Sequence, residues 1–393
     1  MMKKYLWSFA LSAIVLAGCG KKEEPPAPVA APAPVVSAPA PAPAPAPVNT
    51  EEKVLNIYNW ADYVPEGMIA TFEKETGIKV NYDTFETNEA LHAKLVAGNS
   101  GYDIVVPGSV FAKPQIEGGL LQPLDKSKIP NLSNLDAPIM ATLAAKTDPD
   151  NKHLVPWAWG FTTVGINKTK VAKALGKMPM PENAWDLVFK PEYTSKLKSC
   201  GIAYLDSPTE IIPVALHYIG KDAYSNDPAD YKLATDMLAK VRKDVRIFSS
   251  TMIDDVAGGK ACVAIGWSGD MNIAAARAKE NKSKDEIESM LPSTGALIFF
   301  DTIAITKDAK HPNNAHAFID FYLRAENAAL MSNEMNYPTA NKAGIPLIKP
   351  EIASNKTIFV EADYFAKMIP PSSFSNEARE AMANAYNSFK KGK

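Results

Sequence analysis

The body of the chain alternates between stretches with strand periodicity and stretches with helical periodicity. Val54 to Trp60 is rich in apolar and β-forming side chains and reads as a strand. Met68, Ile69 and Phe72 then recur at helical spacing, and Gly77 stands where a helix stops. Lys79 to Phe85 alternates, with Val80, Tyr82 and Phe85 as its bulky members. Asn88 reads as an N-cap, Leu91 and Leu95 share one face, and Gly98 closes that helix. Asp103 to Pro107 is a short buried strand. This β-α-β-α-β order predicts a mostly parallel sheet with right-handed crossovers.

The pattern returns further along. Gly201 to Leu205 reads as a strand, and Thr209 to Ile219 as a helix ending at Gly220. Ala229 to Val241 is amphipathic. Ala261 to Trp267 is a buried strand, followed by a helix from Asp270 to about Glu280. Ala296 to Thr306 is an apolar β-run broken by Asp301. A charge inside such a run is costly unless paired, so it marks a strand end facing a cleft or a crossing between lobes. Ala315 to Met335 reads as helix, and Asn376 to Lys390 as a C-terminal surface helix. From about Lys53 onward this body exceeds the ~250–300 residues that one core usually serves, which predicts two lobes.

The first residues differ in kind. Lys3 and Lys4 precede an apolar run from Tyr5 to Ala17, shorter than the ~20 residues a spanning helix needs, with the layout of an export signal. It ends in Leu16-Ala17-Gly18-Cys19, which resembles the lipobox of bacterial lipoproteins. That resemblance implies removal of residues 1–18 and acylation of Cys19, an anchor that does not span the membrane. The alternative is an ordinary cleaved signal with Cys19 incidental. Within residues 19–52, Lys21 to Glu24 lead into alternating Pro and Ala up to Pro47, a tract that favours polyproline II and reaches roughly 80 Å if extended at ~3.1 Å per residue. It reads as a tether; no arginine flanks it, which argues against a proline-rich peptide ligand.

The formal charge of −2 becomes −4 without the first eighteen residues, which carry two lysines and no acid. A mildly acidic body argues against nucleic acid. With Cys19 assigned to lipid, Cys200 and Cys262 are left as one possible pair, which can persist outside the cytoplasm; we expect a disulfide between them.

Four stretches bring an aromatic residue together with a carboxylate: Trp60-Ala61-Asp62-Tyr63, Trp267-Ser268-Gly269-Asp270, Phe299-Phe300-Asp301, and Glu210 after Tyr204. None has an arginine or lysine beside the acid. Aromatic faces attract cations and carboxylates pair with them, so a cleft lined by these residues suits an organic amine. An anion would call for Arg, Lys or a glycine-rich helix start. The bland reading takes each aromatic as core and each acid as surface. Two of the stretches directly follow strands, at the carboxyl edge where open α/β sheets bind ligands.

Asn59–Val64, Phe72–Val80, Gly101–Pro107 and Gln122–Lys128 resemble the putrescine-binding proteins of polyamine ABC transporters. So do Lys198–Gly201, Cys262–Trp267 and Tyr337–Lys342. The likeness runs from about Leu55 to about Pro350. It implies an α/β, two-lobed periplasmic-binding-protein fold of the second type, with hinge crossings between lobes. Lobe 1 would hold residues 53–160 and 300–337, and lobe 2 residues 161–299 and 338–393. It further implies a ligand site of Trp60, Ala61, Asp62, Tyr63, Gly108, Glu210, Trp267, Asp270, Phe299, Asp301 and Tyr337. Asp270 and Asp301 would bind one ammonium group, Asp62 and Glu210 the other, Glu210 through water. Trp60, Trp267 and Phe299 would pack the methylene chain, with Tyr63 and Tyr337 closing the walls. Ala61 and Gly108 depart from the family, which usually has a hydroxyl residue at each; Ser109 follows Gly108. Spermidine-preferring relatives differ around the Glu210 turn, where Ser207-Pro208-Thr209 stand here.

The implied protein is a monomeric, lipid-anchored periplasmic receptor serving ABC permease subunits, with no cofactor and no metal. Two alternatives remain. Paired carboxylates beside aromatics also occur in glycosidases, although no Cys-x-x-Cys, His-Glu-x-x-His or Gly-x-Ser-x-Gly motif is present. A sugar or metal-chelate receptor could use the same fold. His92, His153, His217, His311 and His316 lack ligand spacing and read as surface or core residues.

Overall fold

The computed structural model describes residues 50–392. The export signal, Cys19 and nearly all of the tether lie outside the described residues.

Ten strands among these residues form one sheet: β1 Val54–Trp60, β2 Lys79–Phe85, β3 Ile104–Val105, β4 Leu121–Gln122, β5 Val155–Asn167, β6 Ile202–Leu205, β7 Ile247–Ser249, β8 Val263–Trp267, β9 Ile287–Ser289 and β10 Leu297–Thr306. Their order is β2-β1-β3-β10-β5-β8-β6-β7, with β4 on β10 and β9 on β5. The flanks are parallel, β1 with β2 and β3, and β6 with β7 and β8. The centre is not. β10 runs antiparallel to β3 and β5, and β5 antiparallel to β8. The mostly parallel sheet expected from the sequence is therefore a mixed one, joined through an antiparallel ribbon of its two longest strands.

β5 was not legible in the sequence. All thirteen of its residues are buried, so neither face shows alternation. Asp301 does not end β10; the strand continues to Thr306 through a register shift between Asp301 and Thr302. Opposite stands Pro156, which has no N–H for the ladder, and prolines inside sheets collect at such irregularities. Ahead of the shift, strand alternation puts Phe299 and Asp301 on one face while Ile298 and Phe300 join Phe161 and buried Met368 in a separate small core.

The helices read from periodicity are all present, some with other bounds, whereas Ser109–Glu117, Ala137–Lys146 and Lys168–Leu175 were not read. Met68–Thr76 ends at Gly77, whose φ of 70° suits glycine. The cap of Asn88–Val96 is a correction: Thr87 receives the Ala90 N–H, whereas Asn88 is the first helical residue and turns its side chain to Gly108. The helix expected from Ala315 to Met335 is two, Pro312–Tyr322 and Ala325–Met335, separated by Leu323 and Arg324. The helix after β8 begins at Ser268 rather than Asp270. Asn376–Lys390 is helical as expected and buries Ala378, Met382, Tyr386 and Phe389 against the body. Cys200 and Cys262 form the expected disulfide, with Cα atoms 5.5 Å apart.

Candidate functional site

The parallel flanks aim their carboxyl ends at one cavity. Trp60 to Tyr63 follow β1, Gly108 follows β3, Glu210 stands in the first turn of the helix Pro208–Tyr218 after β6, and Trp267 to Asp270 follow β8. The ribbon supplies Thr162 from β5 and Phe299 and Asp301 from β10. Tyr337 enters after Ala325–Met335, where Asn336 turns the chain in the left-handed region at φ 55°. The cavity has a volume of about 140 Å³. All eleven residues proposed from the sequence line it. Tyr204, the aromatic of the fourth stretch, does not: it is fully buried in the core and its hydroxyl donates to the Val188 carbonyl.

Three carboxylates occupy the interior, and each is held by a hydroxyl. Tyr63 donates to Asp301 at 2.7 Å, Tyr337 to Asp270 at 2.7 Å, and Thr162 to Glu210 at 2.6 Å. The Asp270 backbone N–H also donates to the Tyr337 hydroxyl at 3.2 Å. Burial pushes the Asp301 carboxyl up to about 7, against the pull of the Tyr63 bond, and the charges of Glu210 and Asp270 push it further. Burial likewise takes Asp270 up to about 7, with Tyr337 and Arg277 pulling down and Asp62 pushing up. Glu210 reaches about 7 through burial, with the bonds from Thr162 and Trp267 pulling down and the Glu89 charge pushing further up. Burial and these carboxylates hold the Tyr63 and Tyr337 hydroxyls protonated, well above their ordinary range. Among the described residues no Lys, Arg or His lines the cavity, so its interior charge is one-signed, an arrangement that costs free energy unless a cation compensates it.

Asp62 differs from the other acids. Its side chain is 54% exposed, and Arg277 donates to it at 3.0 Å while also reaching Asp254 at 3.0 Å. The sequence shows no basic residue beside Asp62; the fold brings one from 215 residues away. Asp62 thus already has a counter-ion in Arg277 before any ligand is considered.

Aromatic rings form the walls. Trp60 meets Trp267 edge-on at 5.8 Å, and Tyr63 meets Tyr337 at 5.0 Å. The Trp60 indole N–H donates to the Val106 carbonyl at 2.9 Å, which fixes the ring. Two close approaches require glycine. A Cβ at Gly269 would lie 2.2 Å from the Tyr337 ring, and one at Gly160 would lie 2.8 Å from Phe299. At Gly108 a Cβ would meet the Asn88 amide at 2.9 Å, the same amide that accepts the Gly108 N–H. Asn88 thus occupies the space beside position 108.

The profile of the family described as bacterial extracellular solute-binding protein matches residues 67–360. The chain belongs to that family. It is 44% identical over 345 residues to the putrescine-binding periplasmic protein PotF of Escherichia coli (strain K12), covering 87% of this chain and 93% of that one. It is 43% identical over 344 residues to the putrescine-binding periplasmic protein SpuD of Pseudomonas aeruginosa (strain UCBPP-PA14), again covering 87% and 93%. Among solved structures it resembles the spermidine/putrescine ABC transporter substrate-binding protein PotD of Streptococcus pneumoniae, at 27% identity and a TM-score of 0.69, over 87% of this chain and 99% of that one. The two-lobed α/β fold of this family member is the one such periplasmic binding proteins share.

Thr162 and Tyr224, which also line the cavity, escaped the sequence reading. Thr162 lies in the strand without alternation. The uncharged run from Val155 to Asn167 was the one available sign that a buried strand passes there.

Proposed function

We propose that this chain is an extracytoplasmic solute receptor that takes putrescine, or a closely related polyamine, into the cavity between two lobes and delivers it to an ABC importer. One observation carries the reading: Asp270, Asp301 and Glu210 converge in an aromatic cavity without a basic lining residue. A diammonium ligand supplies the missing charge, while Trp60, Trp267 and Phe299 pack its methylenes. Asp270 and Asp301 take one end through charge-assisted bonds and Glu210 the other. The Arg277-paired Asp62 closes the rim. The names carried by the two closely similar periplasmic proteins, both putrescine-binding, support the same ligand class.

The lobe division is part of the proposal: residues 53–160 with 300–337, and 161–299 with 338–393. Two supports are that residues 160 and 300, where the proposed boundaries fall, both lie in the β5–β10 ribbon, and that Asn376–Lys390 packs on Pro208–Tyr218 and Pro228–Ala239. Among the described residues no helix is long and apolar enough to cross a membrane. We place the body in the periplasm, anchored through an acylated Cys19 and the Pro/Ala tether, as a monomer that meets permease subunits. Neither a glycosidase nor a sugar or metal-chelate receptor gains support from a relative named here.

A melting-temperature screen of the body from Glu51 onward tests the ligand class, since a ligand that binds the folded state raises the melting point. Putrescine, cadaverine, spermidine, spermine and agmatine are compared with neutral controls. A rise with amines and none with the controls is expected. No rise with any amine refutes the reading.

A further inference from the structure

The helix Pro208–Tyr218, which carries Glu210, begins without a cap of its own. Ser207 stands at its N-cap in extended conformation, yet its side chain bonds to no backbone N–H of the first turn. The hydroxyls of Ser207 and Thr209, 3.1 Å apart, turn instead to one carboxylate oxygen. Thr209 donates to Glu89 Oε1 at 2.8 Å, and Ser207 lies 3.5 Å from the same atom. Glu89 sits in the first turn of Asn88–Val96, on the chain between β2 and β3. The contact therefore joins the β2-β1-β3 flank to the β8-β6-β7 flank, across 120 residues of sequence.

The placement has a physical logic. The N-terminus of a helix is its positive end and favours a carboxylate. Proline at the first helical position leaves no N–H to donate there. From the other side, Thr162 of β5 donates to Glu210 itself. Residues 209 and 210 are thus each fastened, Thr209 to Glu89 of the helix after β2 and Glu210 to Thr162 of β5.

We propose that Glu89 is a positioning residue for ligand capture. By accepting from Thr209 and Ser207 across the cleft it fastens the start of the Glu210 helix to the opposite flank, and so holds the ligand-filled cavity shut. The inference rests on the diamine-receptor reading above. Because the bond exists only with the two flanks together, it acts on escape of the ligand rather than on encounter.

Stopped-flow binding of putrescine to the full mature chain tests it. Thr209→Val and Glu89→Ala are each expected to speed dissociation about tenfold, as for loss of a bond to a charged group. Association should change less than about twofold, and Glu89→Gln, which keeps an acceptor oxygen, should dissociate more slowly than Glu89→Ala. The ligand-free melting point of Thr209→Val should stay within about 2 °C of the parent, as expected when stability is scarcely altered. Unchanged dissociation in both Thr209→Val and Glu89→Ala overturns the proposal. So does faster dissociation of Thr209→Val accompanied by a larger fall in the ligand-free melting point, which would mark a merely structural contact. A parent chain that takes up no diamine brings down the receptor reading, and this inference with it, before any variant is compared.

Discussion

Asp301→Asn should move stability and affinity in opposite directions. The Asp301 carboxyl is only 6% exposed and sits at about 7 instead of its usual 3.8, through burial and then the charges of Glu210 and Asp270. A shift of about three units corresponds to up to ~4 kcal/mol at ~1.36 kcal/mol per unit. The sign follows from proton uptake. Between about 4 and about 7 the folded state binds more protons at this carboxyl than the unfolded state does. Its contribution to stability therefore falls as pH rises through that window, and the whole loss is present above it. Asparagine keeps an oxygen for the Tyr63 hydroxyl and carries no charge. Its NH₂ group must find partners of its own, so we expect a gain of ~1–2 kcal/mol in the ligand-free body at pH 8, below the ceiling set by the shift. At pH 4 the gain should vanish. Binding should suffer in the opposite sense, because breaking a buried charge pair costs ~2–5 kcal/mol, at least tenfold in affinity. Thermal melts of the ligand-free body at the two pH values and titration calorimetry with putrescine read both quantities. A lower ligand-free melting point at pH 8 together with unchanged affinity would refute the reasoning.

Other consequences are equally open to measurement. Three carboxyls poised at about 7 must ionise to meet a diammonium ligand, so affinity should rise from pH 5 to pH 8 and binding at pH 6 should release protons. Calorimetry in two buffers of different ionisation heat reads that release directly, and equal heats would count against it. Gly269→Ala places a methyl group 2.2 Å from the Tyr337 ring, so the ring or the helix start must shift, straining the bond from Tyr337 to Asp270. A loss of ~1–3 kcal/mol in stability is expected from such overpacking, with a fall in putrescine affinity; unaltered affinity would remove Tyr337 from the site. Replacing both Cys200 and Cys262 by serine should lower stability by ~2–4 kcal/mol. Titrating the unfolded, unreduced body from Glu51 onward should find no free thiol, and finding two would exclude the bridge.

Much of this protein is legible from local pattern. The strand Val54–Trp60, the helix closed by Gly77 and the strand Lys79–Phe85 are each written in short-range periodicity and in residues suited to their backbone angles. The chemistry of the cavity is also local, because an aromatic and an acid side by side announce what they can hold. Periodicity falls silent where both faces are buried, which is why β5 and Thr162 escaped notice. It also cannot tell a charge that ends a strand from one that rides through it on a register shift, as Asp301 does. What only tertiary structure decided is who meets whom: Arg277 with Asp62, Glu89 with Thr209, and three carboxylates with one another. Sequence dictates the charge that each side chain can bear. Proximity and burial, which depend on the path of the whole chain, decide the free energy of bearing it.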